Sequence, residues 1–255
     1  MKIQSVCISG KVALISPRAM CQHWGVNALR LTGLLAAAVL TSSVALPGAP
    51  DLTAPASAAP CPDVEVTFAR GTNEAPGVGV VGQQFIDALR PQVGGRSFGV
   101  YAVNYPAGDD FAPSASAGGS DTHAHVRSMV ATCPNTKLVL GGYSLGAMAI
   151  DLATIARMPI AGLIPDILTE DEASHVAALA LFGNPSDRYL GRPVNEESPW
   201  YGAKAIDLCA AGDPVCTPGG ALALPSHDEL FSPVHMSYQQ SGMPGQAATF
   251  VASHL

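Results

Sequence analysis

Charge is scarce in this sequence. Of 255 residues only 13% are Asp, Glu, Lys or Arg, against about 25% in a typical soluble domain. Positive charge is scarcer still: Lys and Arg total 13 and the formal net charge is −7. Past residue 58 the only lysines are Lys137 and Lys204. Such a chain lacks the basic footprint that nucleic-acid binding needs, and it offers no polybasic attraction to anionic lipid. No CxxC pair occurs among the six cysteines, which argues against a four-cysteine zinc site. There is also no internal repeat, and no domain linker after Pro60.

The uncharged apolar run Leu31 to Leu46 is shorter than the ~20 residues a spanning helix needs. Arg18 and Arg30 precede it, Pro47 and Pro50 end it, and Ala56-Ser57-Ala58 supplies small residues for cleavage. That order is the anatomy of a secretory signal peptide. Residues 1–58 are therefore expected to be leader and 59–255 a single exported domain. An uncleaved membrane anchor is the rival, and Pro60 disfavours a lipid on Cys61. Met20 would begin a leader of more ordinary length than Met1. Cleavage removes four basic residues (Lys2, Lys11, Arg18, Arg30) and the acid Asp51, leaving 197 residues with a net charge of −10. That length suits one core.

Cys7 and Cys21 leave with the leader, and Cys61, Cys133, Cys209 and Cys216 remain. Four cysteines in an exported chain predict two disulfides, with three connectivities open; Cys209–Cys216 would staple one short loop.

Apolar runs alternate with helical patterns through the rest of the chain. Strands are expected at 64–69, 98–103, 137–140, 176–182 and 205–208, and helices at 80–89, 122–132, 147–156 and 247–254. The segment before Thr122, with Pro106, Gly108 and Gly118-Gly119, reads as a loop. This alternation predicts an α/β fold, a mostly parallel sheet with helices on both faces.

The strongest chemical signal is Gly142-Tyr143-Ser144-Leu145-Gly146. This GxSxG follows a strand and opens a helix, the context of a nucleophile elbow. The turn is sharp, so glycines are needed on either side of the serine, and Ser144 is expected to stand exposed at the strand's end. The helix dipole and the Leu145 backbone N–H favour an oxyanion there. The bland alternative is a glycine-rich turn with a buried serine.

A serine hydroxyl needs a base within hydrogen-bond reach. In this kind of fold the order runs Ser, acid, His, so His123 and His125 come too early. His175 precedes a strand and His254 sits at the terminus, which leaves His227 and His235. For the acid, Asp213 lies between Cys209 and Cys216, in a loop that a disulfide would stiffen. Asp187 is the rival, with a solvated turn as its plain reading.

Taken together, Phe68-Ala69-Arg70-Gly71-Thr72, Gly142-Tyr143-Ser144-Leu145-Gly146-Ala147, the cysteine-bracketed Asp213 and His235-Met236-Ser237-Tyr238 resemble the four landmarks of the cutinases. This family includes fungal cutin esterases, acetylxylan esterases and actinobacterial cutinase-like lipases. The resemblance covers essentially all of the chain after the leader. It implies the small cutinase type of α/β-hydrolase fold, and hydrolysis of acyl or lipid esters through an acyl-enzyme. It further implies Ser144 as nucleophile, Asp213 as acid, His235 rather than His227 as base, and Thr72 with Leu145 as the oxyanion hole. The pairings it implies are Cys61–Cys133 and Cys209–Cys216. Neither cofactor nor metal is implied, and the expected form is a secreted monomer. One departure is Leu145, where many members carry Gln.

Acyl transfer by the same triad, or a non-catalytic binding protein on the same fold, are the alternatives. His123-Ala124-His125 could chelate a metal but reads as solvated. Leu222, Leu224, Phe231 and Val234 are candidates either for an acyl groove or for packing. Ile160 to Leu168 is expected to pack into the core rather than form a lid.

Overall fold

The computed structural model describes residues 60–190, 193–217 and 225–255. The proposed leader, with its apolar run, lies outside them, as do Leu222 and Leu224. Five parallel strands form one sheet in the order β2-β1-β3-β4-β5: β1 Val64–Ala69, β2 Phe98–Ala102, β3 Lys137–Tyr143, β4 Val176–Phe182 and β5 Ala205–Leu208. The longer helices are α1 Gly79–Leu89, α2 Phe111–Thr132, α3 Leu145–Thr154 and α8 Met243–Ala252. Shorter ones are α4 Glu170–His175, α5 Pro185–Leu190, α6 Val194–Glu197 and α7 His227–Leu230. Among the described residues no helix is long and apolar enough to cross a membrane.

The central strands are apolar on both sides because both faces are covered. Leu138 and Leu140 of β3, with Leu179 and Leu181 of β4, pack toward α2 and α3. Their alternates Val139, Ala178, Ala180 and Phe182 join Phe68 and Phe85 in the opposite core, under α1 and α8. Strand β3 runs three residues further than the expected 137–140, because Gly141 lets the Phe68 ring lie against the backbone. A Cβ at Gly141 would meet that ring at 2.7 Å.

Helix α2 corrects the sequence reading most. It starts at Phe111, not near Thr122, and carries Gly118 and Gly119 in its interior. These glycines do not break the helix. They let it approach α3, where a Cβ at Gly118 would meet Ala149 Cβ at 2.8 Å and one at Gly119 would meet Leu152 Cβ at 3.0 Å. Pro113 falls in the first turn, where no intrahelical N–H bond is lost.

In a parallel sheet of this strand order, the chain leaves β1 and β3 toward opposite faces. The crevice beyond their carboxyl ends is where such sheets place ligands. Thr72 follows β1 and Ser144 follows β3.

Candidate active site

Ser144 joins β3 to α3 with φ 55 and ψ −119, a conformation that L residues avoid and that marks strain at a functional turn. The flanking glycines are obligatory on steric grounds. A Cβ at Gly142 would meet the Gly146 carbonyl carbon at 2.4 Å, and one at Gly146 would meet the Ala69 oxygen at 2.0 Å. The Ser144 N–H donates to the Phe182 oxygen at 2.9 Å, which ties the elbow to β4. Ser144 is only 3% accessible, not exposed as the sequence suggested, and the His235 ring sits on its hydroxyl. A narrow crevice is lined by the next residue, Leu145, with Phe111, Met148, Pro185, Pro225 and Leu230.

His235 Nε2 lies 2.8 Å from Ser144 Oγ, and His235 Nδ1 lies 2.8 Å from Asp213 Oδ2. Both partners are almost fully buried. Burial alone would raise the Asp213 carboxyl. The hydrogen bond and charge of His235, the Tyr238 hydroxyl and the Val215 N–H outweigh it and hold Asp213 below the usual carboxylate range. Tyr238 Oη donates to Asp213 Oδ2 at 2.7 Å and itself accepts from the Ala210 N–H at 2.9 Å. The Val215 N–H donates to Oδ1 at 2.9 Å. An ionised acid is thus fixed from three sides.

Thr72 and Leu145 stand at the carboxyl ends of neighbouring strands β1 and β3. Thr72 Oγ1 is buried and without a hydrogen-bond partner, so this donor has no protein acceptor. Its loop is built by two charged residues. Arg70 donates from Nε to the Glu74 oxygen at 2.9 Å and from Nη2 to the Tyr105 oxygen at 2.9 Å. Glu74 accepts from the N–H groups of Gly71 and Val80 at 2.6 and 2.7 Å. Leu145 is the first residue of α3, where backbone N–H groups have no intrahelical acceptor. Its side chain packs into the core, so only its backbone is available to a substrate oxygen.

The remaining histidines are occupied elsewhere. His227 is exposed beside Asp228 and tilts against Phe231. His175 meets the Pro134 oxygen and His254 the Ala203 oxygen. The His123 and His125 pair is not solvated, contrary to expectation. His123 bridges Asp166 Oδ1 at 2.7 Å and Glu172 Oε2 at 3.2 Å, while His125 meets Glu65 Oε1 at 2.6 Å and stacks on Tyr101. Carboxylates from β1, α4 and the loop before α4 turn toward α2 and capture them. Phe231 is 38% exposed and Val234 half-buried; the crevice takes Leu230 instead. Of the expected packing segment, Leu163 and Leu168 are buried, while Ile160 and Ile164 are exposed.

Two tyrosines of the site carried a signal that the sequence reading did not use. Tyr238 follows His235 by three residues within a 3₁₀ turn, His235–Gln240, where residues three apart lie on one side. Tyr143, beside the nucleophile, stacks on the His235 ring at 5.3 Å and donates from Oη to the His235 oxygen at 2.6 Å.

Asp187 is no solvated turn residue. It is buried, as is Asp151, and Asp207 beside them is half-buried; Asn184 Nδ2 donates to Asp151 Oδ2 at 2.8 Å and Asp207 Oδ2 at 3.0 Å. Burial, then the charge of Asp207, pushes Asp151 up to about 7. Burial raises Asp187 and Asp207 as well, and the charges of Asp207 and Asp151 raise Asp187 further. Raised carboxyls stabilise the fold when neutral, and that stability is lost as pH rises from the unfolded value toward the folded one. Asp213 and Glu172, held low, act in the opposite sense and only at lower pH. Thermal unfolding should therefore show a Tm maximum near pH 4, where the unfolded carboxyls titrate, falling by about 5 °C or more by pH 8.5. Asp187→Asn should flatten that decline; an equally steep decline in the variant would remove the cluster as its cause.

Cys61 and Cys133 are bonded with Cα atoms 5.5 Å apart, and Cys209 and Cys216 with Cα atoms 5.8 Å apart. Their sequence separations of 72 and 7 correspond to about 4 and about 2 kcal/mol in the chain-entropy picture. The short bridge clasps the Asp213 loop. Replacing Cys209 and Cys216 by Ser should cut kcat/KM about tenfold or more for a modest loss of Tm. Replacing Cys61 and Cys133 should do the reverse. Equal effects of the two double variants on activity would count against a positioning role for the short bridge.

Residues 60–255 match the cutinase family model. The chain is 48% identical over 222 residues to the carboxylesterase Culp1 of Mycobacterium tuberculosis, covering 85% of this chain and 93% of that protein. It is 43% identical to the phospholipase Culp4 of the same organism, covering 94% and 98%. Among solved structures, a Trichoderma reesei cutinase in complex with a C11Y4 phosphonate inhibitor is 33% identical, with a TM-score of 0.58 over 76% of this chain and 77% of that one. A family match over the whole described region, with relatives at this identity, establishes kinship, and the chain belongs to the cutinase family.

Proposed function

We propose that this chain hydrolyses acyl esters, lipid esters included, through an acyl-enzyme on Ser144. That it is a carboxylic ester hydrolase follows from its family. The roles of individual residues rest on one observation: the unbroken hydrogen-bonded line Ser144 Oγ, His235 Nε2, His235 Nδ1, Asp213 Oδ2. An ionised Asp213 selects the tautomer protonated on Nδ1, which leaves Nε2 free to take the serine proton.

Ser144 Oγ attacks the carbonyl carbon as His235 Nε2 accepts its proton. The tetrahedral oxyanion is met by the Leu145 N–H and by Thr72, a contribution of about 10²–10³ in rate per donor. The ester C–O bond breaks, and His235 returns the proton to the departing alcohol. Water then attacks the acyl-enzyme by the same route in reverse. Asp213 stabilises the imidazolium and stays ionised throughout.

The names of the relatives, a carboxylesterase and a phospholipase, support acyl esters as the substrate class. Two disulfides favour an oxidising compartment, so the enzyme is read as exported. A single chain carries the whole triad, so it is read as a monomer. A panel of p-nitrophenyl esters from two to sixteen carbons tests the reading. Turnover well above the buffer rate is expected on part of the panel. Folded protein that hydrolyses none of them would overturn it.

A further inference from the structure

Met148 lies one turn along α3 from Ser144 and lines two spaces at once. One is the narrow crevice lined by Leu145, the residue after the nucleophile, and the other is a cavity of about 440 Å³. That volume falls within the roughly 300–1,000 Å³ of small-ligand pockets. Its inner wall is one face of α3, where Met148, Asp151, Leu152 and Ile155 recur at helical spacing. The outer wall is the chain from Ala156 to Leu163, and Ser198-Pro199 closes the far side.

Most polar groups on this wall are engaged, although Asp151 Oδ1 has no hydrogen-bond partner. Asp151 accepts from Asn184, and the Arg157 guanidinium lies over the Trp200 ring at 5.4 Å. At the mouth Met158 and Ile160 are 75% and 52% exposed, and the lining is mainly alkyl. The ligand that fits is an alkyl chain.

We propose that this cavity is a distal acyl subsite, holding the far methylenes of a long-chain acyl group whose carbonyl is bound at Ser144. The inference rests on the acyl-enzyme reading above. In both steps of that reaction the acyl group stays bonded to Ser144, the residue that opens α3, and the wall of the cavity is α3 itself. Chain and wall thus share one rigid frame, while the alcohol departs toward the histidine that protonates it. From Ser144 to Ile155 the helix spans about 16 Å at 1.5 Å per residue, so only a long chain draws on the subsite. Met148 is the gate between crevice and cavity, and an unbranched thioether side chain can change rotamer to admit a chain. Each methylene that enters should strengthen binding about fourfold.

The direct test is a dodecyl fluorophosphonate carrying a diazirine at its far end. After reaction with Ser144 in the native enzyme, irradiation and peptide mapping should place crosslinks within residues 152–163. Crosslinks confined to 225–236, or reaction with solvent alone, would overturn the subsite. Failure to modify Ser144 at all would instead remove the catalytic reading, and the subsite with it. Two filling variants add a kinetic readout. In Ile155→Trp and Ala156→Phe, kcat/KM for p-nitrophenyl dodecanoate should fall at least tenfold further than for the butyrate. An unchanged ratio of the two esters in folded variants, or a chain-length effect seen only when the long chain sits on the alcohol, contradicts the proposal.

Discussion

Ser144→Ala should lower kcat for p-nitrophenyl butyrate by about four to six orders of magnitude, leaving a residue of catalysis from the oxyanion donors and binding alone. Nothing else in the described site stands on His235 Nε2 in its place. Stability should barely change, although the serine is buried. The substitution loses one hydrogen bond, worth about 1 kcal/mol, and alanine keeps the same Cβ in the same strained φ 55 turn. A calorimetric Tm within a few degrees of the parent, together with the kinetic loss, is the expected pair of results. Activity above a few per cent of the parent would remove the nucleophile assignment.

His235→Gln should be nearly as damaging, and His227→Gln almost silent. The structure separates the two sharply: His235 is 1% accessible and bonded to both Ser144 and Asp213, whereas His227 is exposed on α7. Loss of the base should cost about 10⁴ or more in kcat/KM. Because Asp213 is held below the ordinary carboxylate range, it remains ionised while activity declines in mild acid. That decline should therefore follow one proton, and His227→Gln should leave it in place. A pH–rate profile with two steps on the acid side, or inactivation by the His227 variant, would mean that the wrong histidine has been chosen.

The sheet was legible in the sequence because parallel strands covered on both faces are short apolar runs, and four of the five ended within a residue of their expected bounds. The elbow was legible because steric demands at Gly142 and Gly146 leave a fixed imprint. Helix α2 was misread at its start because Gly118 and Gly119 look alike in a loop and in a close helix crossing; only the position of α3 distinguishes them. Asp187 was misread for a related reason. A carboxylate after a strand is normally solvated, and its burial here depends on Asp151 and Asp207, which lie far away in sequence. The same holds for His123 and His125, whose partners Glu65, Asp166 and Glu172 come from three other segments. The cavity beside Met148 left no sequence pattern at all, since core and pocket walls draw on the same apolar residues. Sequence reports periodicity and local sterics well, and long-range pairing of polar groups poorly.

The central claim is that Ser144 becomes covalently acylated with His235 and Asp213 driving the transfer. Stoichiometric reaction with a short alkyl fluorophosphonate, followed by peptide mapping, tests it most directly. One adduct per chain is predicted, on Ser144 alone, with complete loss of esterase activity and at least a thousandfold slower labelling in His235→Gln. An adduct on any other residue, or full inactivation with Ser144 unmodified, would contradict it.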